Sequence, residues 1–188
     1  MSKQAKWKMK DRELVKQYQQ GNRNAFDELV KRHYPQTYRL FHRMAGDAML
    51  ADDLCQETYI RVYRGLKRFR FRSEFATWLY RISINVANNH FRREKIKKLF
   101  FSEKEYEGST DTDESFTEQT DHNLWQAIQK LPRKQRMVII FRIFQQLPFK
   151  DVADVIGISE NSAKVNYHYA IKNLKGQLSV ESLGKVTK

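Results

Sequence analysis

A run of 19 residues, Glu103 to Asp121 (EKEYEGSTDTDESFTEQTD), carries eight carboxylates against one lysine. It has few apolar side chains and no helical stripe, so it cannot bury enough surface to offset the entropy of ordering it. It reads as a flexible acidic linker, and the chain on either side must build its own core. Residues 1–102 hold 23 Lys and Arg against 10 Asp and Glu, and residues 123–188 hold 11 against 4. Two basic lobes therefore flank an acidic bridge, and the net charge of +13 points to a polyanionic partner. A solvated loop between two packed halves would have the same composition. An acidic loop beside basic lobes would nonetheless compete with nucleic acid unless it lay in a basic protein channel.

Seven Gly and three Pro in 188 residues leave little punctuation for a β fold, and the apolar spacing is helical throughout. The expectation is an all-α chain of two helical domains. No stretch approaches the ~20 consecutive apolar residues of a membrane span. Cys55 stands alone, and the start (MSKQAKWKMKDRELVKQ) has no apolar signal core, which predicts a cytoplasmic location. No Gly-rich phosphate loop and no Cys/His metal spacing is present, and the five His are scattered. The expectation is no catalytic residue, metal, cofactor or small-molecule substrate, and not an enzyme.

The C-terminal lobe carries the most specific local signal. Leu124, Trp125, Ile128 and Leu131 share a stripe that breaks at Pro132, which suits the first turn of a new helix. In LPFKDVADVIGISENSAKVNYHYAIKNLK, Phe149, Val152, Ala153 and Ile156 make a short helix stripe ended by Gly157, the residue best able to take a left-handed turn. Ser159 then suits an N-cap. Ala163, Tyr167, Ala170 and Leu174 bury one face of the next helix, which leaves Asn161, Lys164, Val165, His168 and Lys172 outward. Short helix, Gly turn and a second helix with a polar, basic outer face is the helix-turn-helix layout, although an ordinary helical hairpin would show similar stripes. Lys164 and Lys172 suit phosphate contacts. Asn161, Ser162 and Asn166 suit base edges, and Val165 suits a thymine methyl.

The N-terminal lobe reads as several helices. Ala25, Phe26, Leu29 and Val30 open one behind Asn24 as its N-cap, and Tyr38, Leu40 and Phe41 carry it past Pro35. In MLADDLCQETYIRVYRGL, Cys55, Tyr59, Val62 and Leu66 form a stripe while Asp53, Gln56 and Glu57 crowd a second face. Those acidic groups either favour the helix dipole near its N-terminus or form a protein-binding face for a basic partner helix. Arg68 to Arg72 then alternates Arg with Phe. Phe75, Leu79, Ile82 and Val86 stripe the following helix, with Thr77, Arg81, Asn85, Asn88, Asn89, Arg92 and Arg93 on its other faces. Planar rings beside cations suit stacking of single-stranded bases, although Phe75 and Trp78 are core residues by default.

Taken in order, ADDLCQETYIRVYR, FRSEFATWLYRISINVANN, a variable linker, LPRKQRMVIIFR and PFKDVADVIGISENSAKVNYHYAIKNLK resemble the extracytoplasmic-function (ECF) subgroup of bacterial RNA polymerase sigma factors, from about Asn22 to Leu174. The resemblance implies a promoter-recognition subunit with a basic N-terminal extension at 1–21, a region 2 domain at 22–98, a linker at 99–121, a region 4 domain at 122–178 and a tail at 179–188. It implies that Asp53, Gln56, Glu57 and Arg61 dock on the clamp of the large subunit of core RNA polymerase. It places Arg70, Phe71, Arg72, Ser73, Phe75, Trp78, Arg81, Asn85, Asn88 and Asn89 on the minus-ten element, which they recognise and open. Asn161, Ser162, Lys164, Val165, Asn166 and His168 would read the minus-thirty-five element, with contact to the polymerase flap and an anti-sigma factor as a further partner.

The recognition helix departs from the common pattern ISxGTVKSRLxRA: Asn161 replaces Gly, Val165 a small hydroxyl residue, and Asn166 and Tyr169 two arginines. Two lost cations predict weaker phosphate contact and a shifted sequence preference. Two other readings fit parts of the chain. A free-standing helix-turn-helix regulator would need no Asp53, Gln56, Glu57 face, and a single-strand-binding protein would leave the helix-turn-helix unused.

Overall fold

The computed structural model describes residues 10–100 and 119–184, with side chains described for 10–94 and 124–178. Most of the expected acidic linker and both chain ends lie outside the described residues. Within them the chain is helical, with no strand. It divides into two compact units, residues 1–111 and 112–188.

The N-terminal unit holds α1 (Asp11–Gln19), α2 (Asn24–Ala45), α3 (Ala48–Leu66) and α4 (Phe75–Phe100). One core cluster joins all four: Leu14, Val15 and Tyr18 from α1, Leu29 from α2, Tyr59, Val62 and Leu66 from α3, and Phe75 and Leu79 from α4. A second cluster packs Phe41 of α2 and Leu54 and Cys55 of α3 against Val86 and Ala87 of α4. The expected stripes on α3 and α4 are the faces that meet here, and only Ile82 among them is incompletely covered.

Several expectations need correction. Residues 11–21 are no extension, because α1 buries Leu14, Val15 and Tyr18 in the core. Its first residue, Asp11, receives hydrogen bonds from Arg32 Nη1 (2.6 Å) and pairs with His33 Nε2 (2.7 Å). Asn24 is the first residue of α2 and does not cap it; the Asn22 side chain accepts the Asn24 N–H instead (3.1 Å). Thr77 is buried, because it shares a helix face with Tyr80, Ile84 and Ala87, all buried. Helix α4 continues to Phe100, past the expected linker start at 99.

The C-terminal unit holds α5 (Gln119–Lys130), α6 (Arg133–Ile139), α7 (Phe149–Ile156) and α8 (Glu160–Gly184). Pro132 caps α6 instead of entering its first turn. A π-helical turn, Ile140–Phe144, follows α6 and ends where Gln145 N–H reaches the Ile140 carbonyl (3.2 Å) and Gln146 turns left-handed. Ala127 and Ile128 of α5 and Leu131 just after it pack with Ile139 of α6 and with Ala170 and Leu174 of α8. Helix α8 runs to Gly184, so the expected tail from 179 is largely helical backbone.

Two outcomes test the role of α1. Leu14→Ala is expected to cost the full chain about 2–4 kcal/mol in urea unfolding, as for a core leucine; a change below about 0.5 kcal/mol would show that α1 does not share the core. Burial alone would raise the Asp11 carboxyl, but the His33 and Arg32 interactions outweigh it and hold it below the ordinary aspartate value of 3.8. Its contribution is therefore present above that value and lost as pH falls through the lower folded one. Asp11→Asn should flatten the stability profile below about pH 4.

Candidate nucleic-acid interfaces

Helix α3 begins behind Asp47, whose carboxylate accepts the Leu50 N–H (2.6 Å), and its first turn holds no acidic residue. Asp53, Gln56 and Glu57 lie beyond that turn, so the helix dipole gives them no structural task. Asp53 and Gln56 are exposed, and Glu57 pairs with Arg61 one turn on. Met49 (79% exposed) and Ile60 (50%) flank them on the same outward surface. The sequence reading missed these two, although the stripe of Cys55, Tyr59, Val62 and Leu66 already turns position 60 away from the core. Cys55 is buried, and burial with the nearby Asp52 charge pushes its thiol up to about 12, which leaves it without thiolate character.

The loop between α3 and α4 alternates. Arg68, Arg70 and Arg72 are exposed, Phe69 is buried, and Phe71 is half-buried with a left-handed backbone (φ 56°). Phe69 packs edge-on against Phe71 (centroids 5.1 Å apart) and tilted against Trp78 (5.0 Å). Phe75 departs from the expected DNA-facing role, because it is 3% exposed and packs on His33, Phe69 and Trp78. Its ring would have to leave the core to stack a base.

From Trp78, the helix repeat brings Arg81, Asn85, Asn88 and Arg92 onto one face of α4. Arg81 and Asn85 are exposed, and Asn88 and Asn89 are half-buried. Ser73 is half-buried at the end of the loop. Arg70, Phe71, Arg72 and Ser73 thus lie in the loop that leads into α4, and Trp78, Arg81 and Asn85 follow along one face of its first three turns.

In the C-terminal unit Gly157 is left-handed (φ 77°), and the Ser159 hydroxyl accepts the Ser162 N–H (3.1 Å). Asn161, Lys164, Val165 and His168 are exposed on α8. Lys164 Nζ pairs with Glu160 (2.7 Å), an exposed i, i+4 pair of small net value. Asn166 Nδ2 donates to the Ser162 carbonyl (2.8 Å), so the amide folds back on its own helix. Tyr169, half exposed like Val165, adds an aromatic ring that the sequence reading counted only as a lost arginine.

Two helical units, one with a helix-turn-helix and the other with an arginine-aromatic loop, make up a DNA-binding protein. Residues 29–96 match the family model for Sigma-70 region 2, and residues 121–174 match that for Sigma-70, region 4. The chain is 34% identical over 158 residues to the RNA polymerase sigma-H factor of Pseudomonas aeruginosa, covering 78% of this chain and 82% of that protein. It is 27% identical over 176 residues to the ECF RNA polymerase sigma factor SigW of Bacillus subtilis, covering 87% and 94%. The fold also matches that of the sigma factor RpoE of Bartonella quintana, solved with the anti-sigma factor NepR, at TM-score 0.68 and 18% identity over 82% of this chain and 97% of that one. The chain belongs to the sigma-70 family, in its ECF subgroup, and is an alternative sigma factor that directs RNA polymerase to promoters. Among the described residues, no helix is long and apolar enough to cross a membrane.

The turn before α8 gives a direct test. A Cβ on Gly157 would meet nothing within 4 Å, so only the backbone resists a side chain there. Gly157→Ala is expected to cost about 1–2 kcal/mol and Gly157→Asn clearly less, measured by thermal unfolding of the full chain.

Proposed function

We propose that the outward face of α3, with Asp53, Gln56, Glu57 and Arg61, docks on the clamp of core RNA polymerase, and that Met49 and Ile60 supply the apolar part of that contact. The observation that carries this reading is the place of the acidic groups. They stand beyond the first turn of α3, Asp53 exposed and Glu57 half-buried in a pair with Arg61, beside two large exposed apolar side chains, where the helix dipole gives them no role. A free-standing regulator has no use for such a face.

The loop at 68–73 and the outer face of α4 recognise and open the minus-ten element. Arg70 and Arg72 meet phosphates, and Phe71 and Trp78 offer ring surface to an unpaired base. Arg81, Asn85, Asn88 and Asn89 supply polar contacts along the strand. Opening needs no bond chemistry: a base leaving the stack costs a few kcal/mol, which stacking and hydrogen bonds offset. The protein acts as a binding subunit, with no catalytic residue, metal or cofactor of its own, in the cytoplasm where its polymerase works. Phe75 supports the loop from beneath.

Helix α8 reads the minus-thirty-five element through Asn161, Ser162, Val165, Asn166 and His168, with Lys164 on a phosphate. The C-terminal unit also meets the polymerase flap. Region 2 spans the first unit from α1 onward, and region 4 runs from α5 into α8. An anti-sigma factor is a further partner, as for the Bartonella relative.

Run-off transcription with purified bacterial core RNA polymerase on a library of promoter fragments tests the whole reading. Transcripts from defined sites are expected only when core and this chain are both present. Duplex binding by the chain alone, with polymerase silent, would return the free-standing regulator. Charge reversal at Asp53 and Glu57 is expected to abolish holoenzyme assembly with the fold intact by circular dichroism. Lys164→Ala is expected to weaken all promoters about equally and to reduce the salt slope by about one. A loss confined to particular base positions would instead make Lys164 a base reader.

A further inference from the structure

Helix α1 precedes the region 2 match, which starts at residue 29, yet it reaches the loop that faces DNA. Gln19 Nε2 donates to the carbonyls of Leu66 (3.1 Å) and Phe69 (2.9 Å), the last residue of α3 and the buried residue of the loop. Tyr18 OH donates to the Tyr63 carbonyl (3.1 Å) one turn before the end of α3. At the other end of α1, the Arg12 guanidinium lies over the Phe71 ring, 5.1 Å from its centroid. Phe71 is the strained residue of the loop, because an aromatic side chain at positive φ persists only where its surroundings hold it. Phe71 packs against the core cluster with Phe69 edge-on to its ring, and Arg12 of α1 lies over that ring.

We propose that Arg12 and Gln19 are positioning residues for promoter opening. Gln19 fixes the root of the loop by two hydrogen bonds, and Arg12 holds Phe71 in the left-handed conformation that presents its ring. A loop held this way is already ordered when an unpaired base arrives, so capture does not have to supply the ordering. The proposal rests on the reading above that Phe71 meets promoter bases. It goes beyond that reading in assigning a function to a helix outside the matched region.

The test uses the full chain assembled with core RNA polymerase on a duplex promoter. It measures holoenzyme affinity, closed-complex affinity and the rate of strand opening, followed by permanganate reactivity of unpaired thymines. Arg12→Ala is expected to slow opening about two- to fivefold, with holoenzyme affinity and the unfolding midpoint unchanged, and Arg12→Lys to recover most of the rate. Gln19→Leu is expected to slow opening further, by about tenfold. Arg12 is exposed, so its variant keeps the test valid if Gln19→Leu fails to fold. In a Phe71→Ala background, Arg12→Ala should add nothing, because it acts through that ring.

Additive losses, or a loss seen equally in closed-complex affinity, would make Arg12 a direct phosphate contact and overturn the proposal. A slow Phe71→Ala with a normal Arg12→Ala would overturn the brace alone. A normal Phe71→Ala would instead remove the base-contact reading of the loop on which the brace depends.

Discussion

Phe69 leaves the end of α3 and buries its ring among Leu66, Phe75 and Leu79, and the working surface of the first unit follows from that one insertion. With Phe69 turned inward, its neighbours Arg68 and Arg70 must turn outward, so the same step that completes the core sets the cations in solvent. Its carbonyl becomes an acceptor for Gln19, which ties α1 to the loop. Its ring supports Phe71 and Trp78, so the aromatic groups nearest solvent rest on groups that cannot yield. Truncating Phe69 would therefore damage stability and the proposed DNA contact together, whereas the arginines can change with little effect on the fold.

Much of this was legible in the sequence because it depends on spacing. The stripes on α3, α4 and α8, the glycine turn and the Ser159 cap each follow from a local rule that tertiary packing did not override. Helix α1 was hidden because its charge dominates its composition: Leu14, Val15 and Tyr18 do form a stripe, but among charged and polar neighbours it is short enough to pass as a tail. Asn24 failed as a cap because the helix begins one residue earlier than its side chain would require, and the Asn22 carboxamide takes the Asn24 N–H. The π-helical turn had no signal at all, since an apolar run such as Ile139, Ile140 and Phe141 fits several helix pitches and only packing against α8 and the α7 approach selects one. Phe75 shows the limit for the site: residue chemistry made it core by default, the family resemblance placed it on DNA, and the structure buries it.

The recognition helix spends its exposed surface in an unusual way for a DNA reader. Val165 and Tyr169 present apolar surface one turn apart, Asn166 is folded back on Ser162, and Lys164 already has a carboxylate partner. Lys172 is exposed on the same helix and Lys164 is held only by an exposed pair, so cations for phosphate contact remain, and Val165 and Tyr169 add apolar surface beside the polar Asn161 and His168.

The same separation of duties appears in the signs of the charges. On a chain of net charge +13, the outer face of α3 gathers Asp52, Asp53 and Glu57, while the loop that follows it sets three arginines in solvent. A polyanion is attracted to the loop and repelled from the adjacent helix. A basic protein surface experiences the reverse, so neither partner gains by occupying the other's place. Met49 and Ile60 strengthen this ordering, since exposed apolar groups favour a protein surface that can exclude water and offer nothing to a phosphate backbone. The two faces meet at the end of α3, where Leu66 and Phe69 fix the loop. The face of α3 proposed for the protein partner is thus continuous with the loop proposed to meet DNA.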